Sequence, residues 1–508
     1  MKAEMNLEGR IRQNLKNRVA SDSADSFDIR AETEAVLNDV GASLAEFGGD
    51  ISFYGQDPII PSVLRYGAFS AIGLAAKAAQ VASIWKMKTG QSQDIRVDVR
   101  KALRRFATFY EGYLETVNGF PGKTDSEGDS GVRRNYYKCK DGRWIYLTCN
   151  YPALRTKALQ LLQSAPGEKF VAEAIATWDS FTLEQAAEEA GVPMHVLRSP
   201  EEFLSLDLFQ ETIKNMPLIS VEKLADSDPM PFQSHGDVLG GIRALGLGHV
   251  IAGAGVGRAL ALHGADVLNI WRPNDYEHSV FHYTSNVGMR SAMLDMTVKP
   301  GDRAKFDDLL AGSDVFFSNR RNGFLQRHGL TAEELCKNHP GLICASIYFN
   351  GEQGVWSNRV GFDVSTGAFA GPYWLESENG SRGPIDQPRM TPQIGIISDY
   401  VAAWLGTVGI LQALKRRAVE GGSYKVSVSL TRTVSWLMSL GIFDQEYARS
   451  TANSNDEHAY IDPDPILAET PMGLYRGVAE QVEMTRTPGH YKHLLLPLRS
   501  SKPEWEEV

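Results

Sequence analysis

Apolar residues between Ile242 and Asn274 fall into a strand–turn–helix–strand pattern, in the run IRALGLGHVIAGAGVGRALALHGADVLNIWRPN. Arg243-Ala244-Leu245 reads as a buried strand, the glycines at 246, 248, 253, 255 and 257 as a turn, Val256 to Leu262 as a helix, and Ala265 to Ile270 as a second strand. This pattern predicts the opening βαβ unit of a doubly wound parallel sheet. Such sheets take their ligands at the carboxyl ends of the strands.

The other hydrophobic rhythms are shorter. Residues 1 to about 50 are polar with scattered apolar positions and predict one or two short surface helices. Tyr54 to Arg105 reads as a helix of small residues, a turn, a strand and a further helix. NYYKCKDGRWIYLTCN, from Asn135, alternates around Asp141-Gly142 and predicts a hairpin. Helical patterns follow at Leu154–Leu162, Lys169–Ala176 and Leu183–Ala190. ADSDPMPFQSHGDV (Ala225–Val238) has the composition of a linker, and Arg449 to Pro465 reads as a second loop-like segment.

Composition narrows the class. The chain has 508 residues, 22% charged and 43% hydrophobic, which suits a globular enzyme of several domain-sized units. A formal charge of −10 argues against a nucleic-acid surface. Cys139, Cys149, Cys336 and Cys344 form no CxxC pair, so a reduced compartment is expected. No unbroken apolar run reaches a membrane span, the N-terminal residues are polar, and WEEV is not a peroxisomal address. A cytoplasmic protein is therefore expected, with mitochondrial or peroxisomal siting left open.

The glycines do not fit a dinucleotide site. From Gly253 the order is G-A-G-V-G-R, which places Arg258 at the third fingerprint position, where a bulky cation should block close helix–strand approach. After the second strand stands Trp271-Arg272 rather than an acidic residue. A guanidinium there suits a phosphorylated adenosine better than NAD.

The stretch from Ile242 resembles the opening unit of the class III CoA-transferases (CaiB/BaiF), a family that also holds α-methylacyl-CoA racemases. The resemblance continues through LDMTVKPGDRAKFDDLLAGSDVFFSNRRNGFLQRHGL (Leu294–Leu330), PGLICASIYFNGEQG (Pro340–Gly354), VGFDVSTGAFAG (Val360–Gly371) and ISDYVAAWLGTVGILQALKRRAVEGGSYKVSVSL (Ile397–Leu430). It implies an α/β fold: a Rossmann-like doubly wound parallel sheet lobe plus a smaller α+β domain. The hairpin and the GVPMHVLRSPEEF segment resemble the family's small domain, here placed before the lobe. Tyr54–Arg105 resembles a worn copy of Ile397–Leu430. Aligning Gly90 with Gly421 sets Ala68 opposite Asp399, and two unrelated α–turn–β pieces are the other reading. The expected order is an N-terminal helical segment (1–53), a degenerate partial copy of the lobe (54–120), the small domain (121–235), the CoA-binding lobe (236–445) and a tail packing on it (446–508). It looks like a double-length member trimmed and permuted.

The resemblance implies that Asp399 is the nucleophile. Its position before Tyr400–Leu414 is equally that of a helix N-cap, and both roles are compatible with one carboxylate. The CoA contacts it implies are Arg272, Asn319 and Arg327, the last at a helix start, with Ile251 and Ala252 lining the pocket by backbone groups and Leu294 packing on adenine. Arg320 and Arg321 add charge but depart from the family's apolar-Arg-Pro wording; each of these arginines is otherwise a solvated surface residue. Phe362 stands where the racemases carry His, which favours transfer over racemisation; Asp363 is a supporting candidate at the same site, or Gly361-Phe362-Asp363 is simply a core anchor and turn.

The implied activity is transfer of CoA from an acyl-CoA to a carboxylic acid through an aspartyl mixed anhydride and an aspartyl-CoA thioester. A racemase-like isomerase and a non-catalytic CoA-binding or interaction protein are the alternatives. Coenzyme A enters as substrate, with no prosthetic group or metal expected. The implied partners are an acyl-CoA and a small carboxylic acid, not nucleic acid or membrane, within a homodimer or an intrachain pseudo-dimer. Two departures bear on activity: the bulky Tyr348–Gly354 loop, and no glycine-rich shielding segment after Leu437 unless Pro471-Met472-Gly473 replaces it.

Overall fold

Seven strands form the central sheet of the computed structural model, which describes residues 5–124, 135–233, 236–378, 385–395 and 397–507. They are β1 (Ser220–Ala225), β2 (Arg243–Leu247), β3 (Asp266–Trp271), β4 (Arg290–Met293), β5 (Val315–Ser318), β6 (Ile343–Tyr348) and β7 (Ser423–Ser429). Their spatial order is β4-β3-β2-β5-β6-β7-β1, parallel throughout except for β1. Counted from β2, the six parallel strands run 3-2-1-4-5-6, so the connections change direction between β2 and β5. A crevice opens at that switch point beyond the strand ends. Helices cover both faces, which is why β5 is VFFS with every side chain buried.

The glycine-rich turn does its work one residue earlier than the fingerprint reading expects. A Cβ on Gly257 would meet Met289 Sδ at 2.1 Å and the Phe317 ring at 2.8 Å, so Gly257 is the residue that lets the helix Ala252–Ala261 lie close to the sheet. Arg258 does not block that approach. It turns to the other side, where Nη2 donates to Val478 O at 2.7 Å and Nε to Tyr491 Oη at 3.1 Å. The tail thus satisfies a fully buried cation of the lobe.

Two long helices, α1 (Tyr66–Thr89) and α2 (Asp399–Glu420), pack side by side in the middle of the molecule. Gly73 permits it, since a Cβ there would stand 3.1 Å from the Trp404 ring. By length and composition α1 would cross a bilayer, yet its most apolar stretch is packed inside the protein. The two helices open similar runs of elements. Each ends at a glycine of positive φ, Gly90 and Gly421, and continues into a parallel strand and a short helix. The same device precedes each: Asp57 accepts hydrogen bonds from Gly67 N (3.0 Å) and Ala68 N (2.8 Å), and Asp363 from Ile397 N (2.7 Å) and Ser398 N (3.2 Å). The terminal glycines set Ala68 opposite Asp399, whereas the hydrogen-bonded amides set it opposite Ser398, so the likeness holds in outline and not in register.

The hairpin forms as expected, Asn135–Lys138 with Trp144–Leu147, and gains Met194–Val196 as a third strand. Three helices, Pro152–Leu162, Glu168–Ile175 and Ser180–Ala190, complete this smaller unit around its own apolar cluster. Its end differs from the boundary at 235. Ser220–Ala225 leaves the unit and pairs antiparallel with β7, because its partner edge would otherwise expose unpaired amides and carbonyls. The tail also does more than pack on the lobe. Gly473–Val478 pairs with Thr116–Val117, and Glu483–Met484 with Ile95–Asp98, tying the strands at 95–98 and 116–117 to the tail.

Candidate active site

Asp399 is the first residue of α2 and is only 6% exposed. No described residue donates a hydrogen bond to its carboxylate. Burial, and then the charge of Asp363, push its carboxyl well above the ordinary carboxylate range. Asp363, which opens the helix α3 (Asp363–Phe369), holds the amides of Ile397 and Ser398 and so fixes the chain just before Asp399. Asp363→Asn keeps an acceptor for those amides and removes the like charge. The acid limb of the activity should therefore move to lower pH in this variant; a pH–rate profile with an unmoved or raised limb would contradict the coupling.

Two cavities meet at Asp399. The first, about 360 Å³, is walled by the N-terminal part of the chain (Thr108, Phe109, Glu115), the smaller unit (Thr148, Asn150, Tyr151) and the lobe (Val280, Phe281, Phe362). The second, about 260 Å³, lies at the switch point between the ends of β2 and β5, lined by His249, Ala252, Asn319, Arg320, Arg321 and Phe349 among others. Val250, Phe362 and Asp399 line both.

Val250 is strained. A β-branched residue at φ 58° is rare, and strain of this kind collects at functional sites. Glu277 holds it: Oε2 accepts from Val250 N at 2.8 Å, while Oε1 accepts from Tyr151 Oη at 2.9 Å. The Tyr151 ring lies parallel to Phe362, with centroids 5.8 Å apart and planes 2° apart. Burial pushes the Glu277 carboxyl up to about 7, against the hydrogen bonds that lower it. Glu277 and Tyr151 were not legible in the sequence, for neither belongs to a spaced motif. Only the meeting of the smaller unit with the lobe brings them together.

The sequence-expected contacts divide. Asn319 lines the switch-point cavity and clamps its turn, with Oδ1 accepting from His249 N and Nδ2 donating to His249 O, both at 3.0 Å. Ile251 caps the following helix and is fully buried, and Ala252 lines the cavity. Arg272 instead pairs with Asp275 at 2.7 Å and stacks over Phe324, outside both linings. Leu294 is 4% exposed within a hydrophobic core, so it has no free face to offer an adenine. Arg327 is exposed and ends the helix Asn322–Arg327 rather than starting it, because Asn322 and Gly323 already form its first turn. The cations that line the cavity are Arg320, paired with Asp275, Arg359, and the exposed Arg321. Phe362 and Asp363 sit at the site itself.

Residues 239–478 match the model of CoA-transferase family III. The lobe is thus similar to this family over a little under half of the chain. Among curated relatives, the acetyl-coenzyme A transferase nodX of Hypoxylon pulicicidum is 32% identical over 212 residues, 41% of this chain and 35% of that protein. The succinyl-CoA–L-malate CoA-transferase alpha subunit of Chloroflexus aurantiacus is 26% identical over 249 residues, 45% of this chain and 56% of that protein. An acyl-CoA transferase of Gibberella moniliformis is 27% identical over 445 residues, 79% of this chain and 77% of that protein. The match thus spans 35% of the first of these relatives and 56% of the second. The matched lobe supplies the β2–β5 crevice and Asp399, while the smaller unit and residues 108–124 close the first cavity.

Proposed function

We propose that this chain transfers CoA from an acyl-CoA to a carboxylic acid, with Asp399 as the nucleophile. The observation that carries the reading is the place of Asp399 at the junction of two cavities, one at a sheet switch point lined by arginines and one closed by the smaller unit. The switch-point cavity would take the CoA arm, with Arg321 and the helix start at Ala252 facing its phosphates. The first cavity would take the acyl group and then the acceptor acid.

In this mechanism the ionised Asp399 attacks the acyl carbonyl, and the carbon–sulfur bond breaks to release CoA thiolate and leave an aspartyl mixed anhydride. The thiolate attacks the aspartyl carbonyl, which frees the donor acid and leaves an aspartyl-CoA thioester. The acceptor carboxylate attacks that thioester, releasing thiolate and forming a second anhydride. Thiolate attack on the acceptor's acyl carbon then gives the new acyl-CoA and restores Asp399. Burial serves each step by excluding water that would hydrolyse the anhydride. Phe362 offers no titratable group for proton exchange at an α-carbon, which sets the racemase reading aside.

One chain contributes all three walls of the described cavity, so the reading is of an intrachain pseudo-dimer. Incubation with acetyl-CoA followed by hydroxylamine should convert Asp399 to a hydroxamate, detected by peptide mass spectrometry. An unmodified Asp399 in a protein that still binds CoA would support a binding role instead.

A further inference from the structure

The walls of the first cavity are chemically lopsided. On one side Phe362, Tyr151, Phe281 and Phe109 follow one another as a continuous series of rings: Tyr151–Phe362 at 5.8 Å, Tyr151–Phe281 at 6.4 Å with planes 13° apart, and Phe109–Phe281 at 5.3 Å. A series of flat faces is complementary to a flat, apolar ligand body, through offset stacking and edge contacts. The volume of about 360 Å³ lies at the lower end of small-molecule pockets, roughly 300–1,000 Å³.

The remaining described lining is largely polar and holds no cation. Among the described lining residues none is Lys, Arg or His, and the ionisable ones besides tyrosine are Asp363, Asp399 and Glu115. Arg105, the nearest counter-charge to Glu115, is itself engaged by it at 2.6 Å and by Thr284 O at 2.9 Å. A second carboxylate on the ligand would be buried among acids with no partner, which is heavily disfavoured. A neutral polar group fares differently. Thr148 is 1% exposed, lines the cavity, and its hydroxyl has no hydrogen-bond partner among the described residues. Thr108, by contrast, is engaged with Tyr400 Oη at 3.0 Å. An unpartnered hydroxyl at such a depth calls for a ligand group that accepts or donates one hydrogen bond.

We propose that the acid handled in this cavity is an aryl monocarboxylate bearing a neutral hydrogen-bonding substituent, such as a hydroxyarylalkanoate, its ring against the Phe109–Phe362 wall and its substituent on Thr148. The assignment deepens the transfer reading and rests on it for the direction of the carboxylate, toward Asp399. A dicarboxylate is the substrate class it excludes.

The full-length protein, acetyl-CoA as donor, and four acceptors at equal concentration test it: 3-(4-hydroxyphenyl)propanoate, 3-phenylpropanoate, hexanoate and succinate, with new thioesters read by chromatography. The expected order of kcat/KM is the order given, with succinate at least a hundredfold below the first. Succinate or hexanoate turned over as well as the aryl acids would overturn the assignment while leaving transfer intact. Thr148→Val, close to isosteric, should cut the preference for the hydroxylated over the plain aryl acid about tenfold, whereas a purely structural role for Thr148 would lower both alike. Calorimetric binding of the same four acids to Asp399→Asn gives a readout independent of turnover. If no acid yields a thioester but the aryl acids alone bind, the transfer reading fails and the ligand class stands; equal binding of all four, or of none, sinks the ligand class.

Discussion

Asp399→Asn is expected to abolish CoA transfer and, at the same time, to make the protein more stable at neutral pH. The first effect follows from losing the attacking oxygen, and removal of a nucleophile from a covalent relay costs roughly 10⁴-fold or more in rate. The second follows from linkage. The Asp399 carboxyl lies well above its ordinary range in the folded state, because burial and the Asp363 charge oppose its ionisation. A carboxyl raised on folding favours the fold while protonated. That advantage is lost as pH climbs from the unfolded value, about 3.9, through the folded one. Above that window the wild-type chain must either hold a buried charge or keep a proton, and asparagine does neither. Thermal melts at acid and neutral pH should therefore coincide for the two proteins in acid and separate at neutral pH, with the variant higher. A variant that still transfers CoA at the parent rate would remove Asp399 from the chemistry.

The second large effect is expected at Glu184, in the smaller unit and outside both cavity linings. Its carboxylate accepts from Val196 N and Arg198 Nη1, each at 2.8 Å, and pairs with Arg359 Nη2 at 3.4 Å. Glu184 and Arg198 belong to the smaller unit, while Arg359 comes from the lobe segment lining the switch-point cavity. Burial opposes the Glu184 charge, but hydrogen bonds from Arg198 and the charges of Arg198 and Arg359 outweigh it and hold the carboxyl below its usual range. Glu184→Ala would leave two buried guanidiniums facing each other. Breaking such a pair costs about 3–5 kcal/mol, and the loss should appear as a lower melting temperature and a weakened KM for acyl-CoA. The pH dependence runs opposite to that of Asp399. A carboxyl depressed on folding stabilises the fold above its unfolded pKa, and that support fades as pH falls through the folded value. Wild type and Glu184→Ala should accordingly converge in melting temperature as the solution is acidified. A variant as stable as the parent at pH 7 would show the triad to be dispensable.

How much of this was written in the order of residues is clear from particular positions. The β2–turn–helix–β3 unit was legible because a parallel strand buried on both faces needs a solid apolar run, and a close turn needs glycine. The motif placed Asp399 at the start of α2, but Ser398 holds the cap position there and no side-chain cap bond forms; Asn319 was placed at a strand end. Arg272, Leu294 and Arg327 were read by position along the chain. A strand end, however, does not fix which way a long side chain turns, and Asp275 and Phe324 took the Arg272 guanidinium instead. Arg258 shows the same limit, since its partners lie more than two hundred residues away at Val478 and Tyr491.

Sequence alone determined the β2–turn–helix–β3 unit, the two long helices as separate elements and the acid at the start of α2, because each depends on local periodicity, propensity and a handful of neighbouring residues. Tertiary structure alone decided the environment of that acid: the aromatic wall, the Glu277 latch on Val250 and the absence of a cation among the described residues of the first cavity. These come from three separated parts of the chain meeting at one point, around Thr108–Glu115, Thr148–Tyr151 and the lobe from Val250 to Asp399. Contacts between distant segments leave no period in the chain, and the dielectric around a carboxylate is set by everything packed near it.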